Sequence, residues 1–435
     1  MGGCAIEAKR KISVIECADV VVCGGGPAGL CAALASAYEG ARTVLIERYG
    51  FLGGNLAGTN LEAVMTFHDH TGRKIIDGIP QLLVDALIDA AGSLGHVEDN
   101  LGYCETLTPV DPEILKHVAL HLVREAGISL YLHSWICGVL MDQNRIEGVV
   151  IDSKSGRFAI RGSVVIDATG DADVAAWAGV PFEKCTPPNG CQPMSLMFRL
   201  GGVNIRKVIE YVCQHRDEFR TLKCSVEELA SKPILHLWGW SGFLSRGYLS
   251  GRLSFKRNEM ILITTMRPGE VIINLTRSFG DGTKVEDLTR AELETRTQLM
   301  EFLSYARSEL PGFKGSYLIS TGTHVGVRET RRIIGEYQLT LGDVVSGARF
   351  QDVVAKSAFP IDIHQADGPG MITQQIQEAY DIPYRCLVPV EVEGLLVAGR
   401  CISTTHEALA SARISATCMA LGPVSYTHLT LPTKA

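Results

Sequence analysis

The stretch Asp19-Val-Val-Val-Cys-Gly-Gly-Gly-Pro-Ala-Gly29 places an apolar run directly before a glycine-rich turn. The apolar run at residues 19–23 predicts a short strand of a parallel sheet, buried on both faces. Pro27 suits the first turn of a helix, where its missing N–H costs nothing. An alanine-rich segment at 30–39 and a second apolar run at 43–47 follow. Together these segments predict a β–α–β unit.

Three glycines of the turn, Gly24, Gly26 and Gly29, have the G-x-G-x-x-G spacing of dinucleotide-binding folds. Gly24 permits the tight turn, Gly26 lets the backbone approach a diphosphate, and Gly29 lets the helix pack closely on the sheet. The diphosphate would lie at the helix N-terminus, where free N–H groups and the helix dipole favour anions. Glu47 lies 18 residues after Gly29, near the ~20-residue spacing of a ribose-binding acid. The alternative is a glycine-rich turn without a ligand.

Two further features favour FAD over NAD as the dinucleotide. Gly53-Gly54 closely follows the second strand, and Ala168-Thr-Gly-Asp171 closes a strand after a predicted hairpin. Both features recur in two-domain flavoproteins, and the sequence has no second G-x-G-x-x-G that would indicate an NAD(P)H domain. We therefore predict one nucleotide site, with FAD as its occupant. The predicted cofactor-binding residues are Gly24, Gly26, Pro27, Ala28, Gly29, Glu47, Arg48, Gly53, Gly54, Asn55, Ala168, Thr169, Gly170, Asp171, Gly399 and Arg400.

Beyond the first unit, hydrophobic periodicity predicts a mixture of helices and strands. Helices are predicted at 80–92, 111–126, 290–309 and 407–421, and strands at 128–133, 136–141, 146–152, 158–161, 163–168, 260–265, 271–275 and 395–399. The fold class is thus α/β: a Rossmann-like FAD-binding domain, with a parallel sheet and a β-meander, that carries an inserted α+β substrate domain. We assign residues 1–190 and 371–423 to the discontinuous FAD-binding domain and residues 191–370 to the substrate domain.

The bulk composition excludes several classes of function. A net charge of −7 and a pI near 6.0 give no reason to expect a nucleic-acid partner. The 13 cysteines are scattered and include no C-x-x-C pair, so neither an iron–sulfur cluster nor another metal site is predicted. No signal peptide and no membrane-spanning segment are found in the sequence. We therefore expect a cytoplasmic protein without membrane contacts.

The last twelve residues, 424–435, depart from the pattern of the rest of the chain. They resemble the translated read-through of a sequencing-library adapter, and we treat them as a non-native tail. On this interpretation the natural protein continues beyond the point where the sequence stops. The alternative is a genuine short tail.

Five segments of the chain resemble the FAD-dependent oxidoreductase family that includes relatives of the flavin-binding subunit of heterodisulfide reductase, within the glutathione-reductase-like group of FAD folds. The segments are residues 23–29, 168–173, 322–331, 359–364 and 397–408. The resemblance implies that Gly399-Arg400 lies near the ribityl chain or the diphosphate of FAD, where arginine can pair with a phosphate. The alternative is a structural arginine at a strand end. Some relatives of heterodisulfide reductase hold iron–sulfur clusters, but the cysteine spacing here does not support one.

Four residues are candidates for handling the substrate: His324, Arg328, His364 and His406. Flavin chemistry moves a hydride and usually needs an acid or base and a cation nearby, roles that histidine and arginine can supply. Each lone histidine is, alternatively, a structural residue, and Arg328 with its neighbours Arg331 and Arg332 is alternatively a solvated helix face.

These observations predict an enzyme that transfers a hydride between a small-molecule substrate and FAD. One alternative is an electron-transfer subunit that passes electrons to a redox partner protein. The other is a non-redox enzyme that uses the FAD fold as a scaffold, as thiazole synthases do with NAD.

Overall fold

The computed structural model describes residues 11–185, 190–220 and 222–427. The strands in these ranges are, in chain order, β1 (Ser13–Cys23), β2 (Thr43–Ile46), β3 (Ala63–Met65), β4 (Val97–Glu98), β5 (Thr106–Pro109), β6 (Ser129–Tyr131), β7 (Trp135–Asp142), β8 (Arg145–Ser153), β9 (Gly156–Asp167), β10 (Phe182–Lys184), β11 (Phe198–Gly201), β12 (His236–Gly239), β13 (Met260–Thr264), β14 (Val271–Asn274), β15 (Tyr317–Thr321), β16 (Arg331–Ile333), β17 (Val353–Ser357), β18 (Ile361–His364), β19 (Met371–Gln374), β20 (Tyr380–Pro383) and β21 (Leu395–Val397).

The helices alternate with these strands along the chain. They are α1 (Pro27–Tyr38), α2 (Gly54–Gly58), α3 (Ile79–Asp89), α4 (Pro112–Glu125), α5 (Asp173–Trp177), α6 (Ile205–Gln214), α7 (Val226–Leu229), α8 (Ser241–Leu249), α9 (Val285–Glu309), α10 (Leu341–Ser346), α11 (His406–Ala412) and α12 (Ser415–Thr427), with short 3₁₀ turns at Arg216–Glu218 and Tyr384–Cys386. No helix in the described ranges has the length and apolar character needed to cross a bilayer.

The largest sheet has seven strands and contains the predicted β–α–β unit. Its order is β6-β2-β1-β9-β8-β7, and β21 pairs with the second half of β9. Strands β6, β2, β1, β9 and β21 run parallel, whereas β7, β8 and β9 form an antiparallel meander. Strand β21, far along the chain, thus returns to the sheet that the first residues begin. The predicted α/β class, with its parallel sheet and β-meander, is confirmed.

A second, fully antiparallel sheet is formed by the middle of the chain. Its order is β12-β13-β14-β11-β15. The long helix α9 packs against it, since Phe302 of α9 and Phe198 of β11 lie in one apolar core with ring centroids 5.7 Å apart. Trp238 and Trp240 are fully buried in the same core. This arrangement of strands and helices is the α+β pattern expected for residues 191–370, which we call the middle block.

Helices α1 and α12 cross on one face of the parallel sheet, and their contact depends on Gly422. A Cβ at Gly422 would lie 2.3 Å from the carbonyl oxygen of Ala28 and 2.7 Å from the amide nitrogen of Ala32. Only glycine allows α12 to approach the backbone of α1 this closely. The crossing fixes the N-terminal turn of α1 against the middle of α12.

Two predicted element boundaries are wrong. The strands predicted at 158–161 and 163–168 are one strand, β9, because Gly162 does not break the pairing with β1. A Cβ at Gly162 would lie 2.7 Å from a methyl of Val21, so this glycine serves close approach. The single helix predicted at 407–421 is two helices, α11 and α12, interrupted at Arg413 and Ile414. No glycine or proline marks that break.

Two features, a disulfide and the C-terminal tail, border on residues that lie outside the described ranges. Cys185 and Cys191 form a disulfide that flanks residues 186–189. Six other cysteines in the described ranges are buried free thiols. The tail predicted to be non-native has a helical backbone at 424–427, as the end of α12, and otherwise lies outside the described residues.

Candidate functional site

A cavity of about 350 Å³ lies at the carboxyl edge of the parallel sheet. Its lining includes the residues that directly follow β1, β2, β9 and β21, together with Ser134 from the link between β6 and β7. This is the edge at which open α/β sheets bind ligands. The cavity brings together most of the predicted cofactor-binding residues, namely Gly24, Gly26, Pro27, Ala28, Glu47, Arg48, Gly54, Asn55, Ala168, Thr169, Gly170, Asp171, Gly399 and Arg400.

The glycine turn leaves open space in front of helix α1. A Cβ at Gly26 would meet only the Cα of Gly54, at 3.9 Å, although Gly26 has an ordinary φ of −69°. Packing within the protein therefore does not require glycine at this position, whereas a ligand that approaches the backbone does. No side chain caps the N-terminus of α1, so its first N–H groups are available to an anion. These features fit the diphosphate of FAD.

Gly29 and Gly53, also predicted to bind the cofactor, lie outside the cavity lining. A Cβ at Gly29 would lie 1.8 Å from the carbonyl oxygen of Gly24. Gly53 has a φ of 101° and donates its amide hydrogen to Gly25 over 2.8 Å. Both glycines therefore set the backbone conformation of the glycine turn, although neither lines the cavity.

The carboxylate of Glu47 lies in the cavity wall at the end of β2. It accepts hydrogen bonds from the amides of Gly25, at 2.7 Å, and Tyr49, at 2.9 Å. Burial raises the pKa of Glu47, and these two amides partly counter that effect. The two bonds fix the side chain beside the glycine turn, where the ribose of an adenine dinucleotide would lie.

Asp171 and Arg400 form an ion pair in the middle of the cavity wall. Nη2 of Arg400 donates a 2.7 Å hydrogen bond to Oδ1 of Asp171, which also accepts one of 2.7 Å from the hydroxyl of Thr330. Burial works to raise the pKa of Asp171, but Arg400 and Thr330 hold it below its usual value. Nη1 of Arg400 is buried without a hydrogen-bond partner. An unpaired, buried guanidinium nitrogen beside the glycine turn suits a phosphate oxygen.

His324, proposed for substrate handling, lies in the cavity near Glu47. Its ring stacks on Tyr49 with centroids 4.9 Å apart, and its Nδ1 donates to the carbonyl of Val325 at 2.9 Å. Burial lowers its pKa, so the imidazole is neutral and its buried Nε2 is an acceptor without a partner. The stacking holds His324 against Tyr49, two residues after Glu47 in the chain.

The other three candidates lie outside the cavity lining. His406 donates from Nδ1 to Glu329 at 2.9 Å, and Arg332 also pairs with Glu329, so His406 belongs to a buried ion-pair network. Arg328 and His364 are close together and next to Arg413, which does line the cavity. The alternative that Arg328, Arg331 and Arg332 form a solvated helix face is wrong, because the segment is not helical and Arg332 is 4% exposed.

Several lining residues were missed in the sequence. Ser134, Trp135 and Ile136 follow β6, which pairs in parallel with β2, so the strand order alone could have predicted their position. Gly282, Leu288, Glu292, Val325 and Val327 come from the middle block, Arg413 lies in the break between α11 and α12, and Ser415 and Cys418 belong to the beginning of α12. Val325 and Val327 fall in the segment 322–331 that carries the family resemblance, whereas no local sequence feature marks Gly282, Leu288 and Glu292.

The fold and the cavity define a protein of the class that binds an adenine dinucleotide at the edge of a parallel sheet. Within the described ranges, no three histidine, cysteine or acidic side chains come together as metal ligands. The sequence profile of the FAD dependent oxidoreductase family matches residues 19–425, and the chain belongs to this family. FAD is the cofactor of the family, in agreement with the prediction.

Similarity to individual proteins is more distant. The chain is 25% identical over 175 residues to digeranylgeranylglycerophospholipid reductase 1 of Methanococcoides burtonii, covering 37% of the chain and 40% of that protein. It is 29% identical over 172 residues to the thiamine thiazole synthase of Methanococcus vannielii, covering 36% and 58%. The chain thus spans less than two thirds of either relative. A geranylgeranyl bacteriochlorophyll reductase-like structure from Thermoplasma acidophilum is 14% identical with a TM-score of 0.47, covering 94% of the chain and 76% of its own.

Proposed function

We propose that this protein is an FAD-dependent enzyme that transfers a hydride between a small molecule and the flavin. The observation that carries the proposal is the composition of one continuous cavity at the carboxyl edge of the parallel sheet. One end of it is lined by the glycine turn and Glu47, and residues of the middle block and the first turn of α12 complete it. A dinucleotide held at the glycine turn would thus extend toward residues that a substrate can also reach. Bound FAD supplies the redox chemistry, and the chain supplies binding, orientation and electrostatics.

Each part of the cavity has a role in this proposal. Glu47 binds the ribose, the N-terminus of α1 binds the diphosphate, and Arg400 adds a cation beside it. His324, held by its stacking on Tyr49, lines the same cavity and is the candidate for handling the substrate there. The first turn of α12 begins at Ser415 in the cavity wall, where its N–H groups favour negative charge on the flavin ring.

The proposal includes the domain division into residues 1–190 with 371–423 and residues 191–370. It is supported by the return of β21 to the sheet of β1 and β9, while the antiparallel sheet uses strands between Phe198 and Thr321. A cytoplasmic location and a small-molecule substrate are also part of the proposal. The interpretation of residues 424–435 as a non-native tail is kept as a proposal as well.

A second candidate is an electron-transfer role with a redox partner protein, in line with the resemblance to relatives of heterodisulfide reductase. The similarity to a thiamine thiazole synthase favours a third, a non-redox enzyme on the FAD scaffold. Identifying the bound nucleotide by mass spectrometry separates the third from the other two. Co-purification with an iron–sulfur or haem protein would favour the electron-transfer role.

Anaerobic photoreduction tests the primary proposal. The purified protein is loaded with FAD, reduced by light without oxygen, and then exposed to candidate oxidants while its visible spectrum is followed. We expect a yellow protein that is reduced and then reoxidised by a restricted class of small molecules. A colourless protein that does not take up FAD would contradict the proposal. Reoxidation by a redox protein alone would favour the electron-transfer role.

A further inference from the structure

Four arginines lie close together next to the cavity, two of them buried and two half-buried, and we refer to Arg257, Arg277, Arg328 and Arg413 as the arginine cluster. Arg257 and Arg277 are 7% and 5% exposed, and the side chain of Arg413 is 12% exposed. Burial lowers the pKa of Arg328 and Arg277 to about 9 and that of Arg257 to about 10, and a neighbouring arginine is the next cause in each case. The four guanidinium groups therefore repel one another in a region largely shielded from water.

The negative charge around the cluster does not balance it. Asp362 is the carboxylate that acts on all three of Arg257, Arg277 and Arg328, and its Oδ2 lies 3.9 Å from Arg413. Glu259 acts on Arg257 but forms its own ion pair with Arg220, at 3.0 Å. Within the described ranges, Arg257, Arg277 and Arg328 form no ion pair. Buried charges normally have partners, so this surplus of cations indicates a missing anion.

His364 contributes no further charge to the cluster. Burial, followed by the charge of Arg328, lowers its pKa to about 3, so the ring is neutral. Its Nδ1 accepts a hydrogen bond of 3.3 Å from Nη2 of Arg277, and its Nε2 faces Asp362 at 3.6 Å. The neutral ring of His364 therefore lies between Arg277 and Asp362 and contacts both. It adds no charge, so the positive charge of the arginines remains in excess.

The hydrogen bonds of the cluster are made mostly to neutral acceptors. Arg277 donates to the carbonyls of Gly368 and Gly370, and Arg257 to that of Pro369, all in the turn between β18 and β19. Arg328 donates to the carbonyl of Pro193 and to the hydroxyl of Ser195. A carbonyl is a weaker partner for guanidinium than a carboxylate or phosphate oxygen. An anion would therefore compete well for these donors.

Three donors in or beside the cluster have no partner. They are Nε of Arg257, Nε of Arg413 and Nε2 of Gln192, which is 1% exposed. Oε1 of Gln192 accepts from the amide of His364 at 3.2 Å, which fixes the side chain beside the cluster. Unpaired buried donors cost free energy unless a ligand supplies acceptors. Their presence on two arginines and one amide indicates where acceptor oxygens would bind.

Residues of the arginine cluster line two cavities. Arg413 lines the FAD cavity, together with Val327, the neighbour of Arg328. Arg257 lines a second cavity of about 340 Å³, which Lys256 also borders. The cluster thus lies between the proposed flavin site and a separate opening. This is where a substrate could enter without displacing the cofactor.

We propose that the arginine cluster binds a substrate that carries two or more negative charges on carboxylate or phosphate oxygens, and holds it against the flavin end of the FAD cavity. This inference rests on the proposed function, since it names the substrate class of the same site. Arg257, Arg277 and Arg328 hold the anionic groups, and Arg413 extends from them to the cofactor. A neutral lipid or sugar would leave the cationic surplus without a partner.

Binding of simple anions to the FAD-loaded full chain tests the inference. The probes are succinate and inorganic phosphate, with succinamide and sodium chloride at matched ionic strength as controls. We expect succinate or phosphate to give a saturable rise in the melting temperature of about 1–3 °C and a change in the flavin absorption spectrum. The two probes also distinguish the carboxylate and phosphate forms of the proposal. Equal effects of succinate, phosphate, succinamide and chloride would overturn it.

Two variants, one in the arginine cluster and one outside it, test whether the probes bind at the cluster. Arg277→Gln removes a buried cation that forms no ion pair. We expect it to raise the dissociation constant of the active probe at least tenfold. The melting temperature should be unchanged or higher, and the FAD affinity should stay within twofold of the wild type. Arg199→Gln removes a buried arginine that pairs with Glu62 at 2.8 Å. We expect it to lower the melting temperature and leave probe binding within twofold. If Arg277→Gln does not fold, Arg257→Gln takes its place.

The outcomes separate the two proposals. Probe binding that is unchanged by Arg277→Gln or Arg257→Gln would overturn the inference while FAD uptake still supports the proposed function. A protein that takes up no FAD but binds succinate or phosphate through Arg277 would contradict the proposed function, and the anion site would stand.

Discussion

Arg400 and Asp171 are 229 residues apart in the chain, yet they form a 2.7 Å ion pair in the wall of the FAD cavity. Asp171 follows β9 and Arg400 follows β21, which are neighbouring parallel strands. Their pairing therefore couples the last strand of the sheet to the loop that closes the nucleotide site. Because one nitrogen of Arg400 stays unpaired and buried, the pair holds a cation in the position that we propose for the diphosphate.

Replacing Arg400 with methionine should weaken FAD binding. The variant loses the unpaired guanidinium nitrogen and the bond to Asp171, and a charge-assisted hydrogen bond contributes about 1.5–3 kcal/mol. We expect the dissociation constant of FAD to rise about 10–100-fold, measured by titrating the apoprotein and following flavin fluorescence. Arg385→Met, at an arginine paired with Asp352 outside the cavity lining, is the control. Equal FAD affinities of the two variants would show that Arg400 is only a structural arginine.

The glycine turn gives a sharper test of the cofactor site. A methyl group at Gly26 fits the protein, since its nearest contact is the Cα of Gly54 at 3.9 Å, but it occupies the space in front of α1. We expect Gly26→Ala to raise the dissociation constant of FAD at least about tenfold, with little change in the melting temperature. Gly138→Ala is the matched control, because its Cβ would make an ordinary 3.8 Å contact with Val150 in the meander. Unimpaired FAD binding by Gly26→Ala would contradict a diphosphate at this turn.

The parts of the site that could be predicted from sequence are those fixed by local rules. The glycine turn, Glu47 and the acidic loop at Asp171 follow strands whose buried apolar runs are visible in the sequence, and parallel pairing brings the ends of such strands to one edge. The meander and the return of β21 follow from the same pattern. These features need only periodicity and turn chemistry.

The positions of the arginine cluster and of the break between α11 and α12 depend on contacts between distant segments of the chain. Arg257, Arg277, Arg328 and Arg413 come from four separate stretches of chain. Arg328 was a candidate for substrate handling, in the segment 322–331 that carries the family resemblance, whereas nothing local distinguishes the other three from exposed arginines, which are far more common. The break at Arg413 carries no glycine or proline and is accompanied by a 3.1 Å hydrogen bond from its guanidinium to the carbonyl of Asp362. Tertiary packing sets these positions, so sequence periodicity alone predicts one unbroken helix at 407–421.

Gly422→Ala should separate α12 from α1. The added Cβ would meet backbone atoms of Ala28 and Ala32 at 2.3 and 2.7 Å, and backbone cannot move aside as a flexible side chain can. We expect a loss of about 1–3 kcal/mol in the free energy of unfolding, with weaker FAD binding because both helices line the cavity. Gly315→Ala, whose Cβ would meet only a carbonyl oxygen at 3.5 Å, should change neither quantity. Chemical denaturation and FAD titration of both variants provide the measurement, and equal stability of the two would contradict this account of the crossing.

Asp167 should make the stability of the fold depend on pH. Its carboxylate is fully buried at the end of β9, where it accepts hydrogen bonds from the amides of Thr169, at 3.0 Å, and Ala175, at 2.9 Å. Burial raises its pKa to about 6, above the value of about 4 in an unfolded chain. Between these two values the folded protein binds more protons than the unfolded chain, so the free energy of unfolding falls as the pH rises.

Asp167→Asn removes this titration but also one acceptor, so the test is the pH dependence and not the absolute stability. Between pH 7 and pH 4 the wild type should gain about 2–3 kcal/mol relative to the variant, measured by urea denaturation at several pH values. Above pH 7 the difference should be constant, because Asp167 is then ionised in both states. A difference that stays flat from pH 4 to pH 7 would mean that Asp167 keeps an ordinary pKa. The hydrogen bonds from Thr169 and Ala175 would then fully offset the cost of burying its charge.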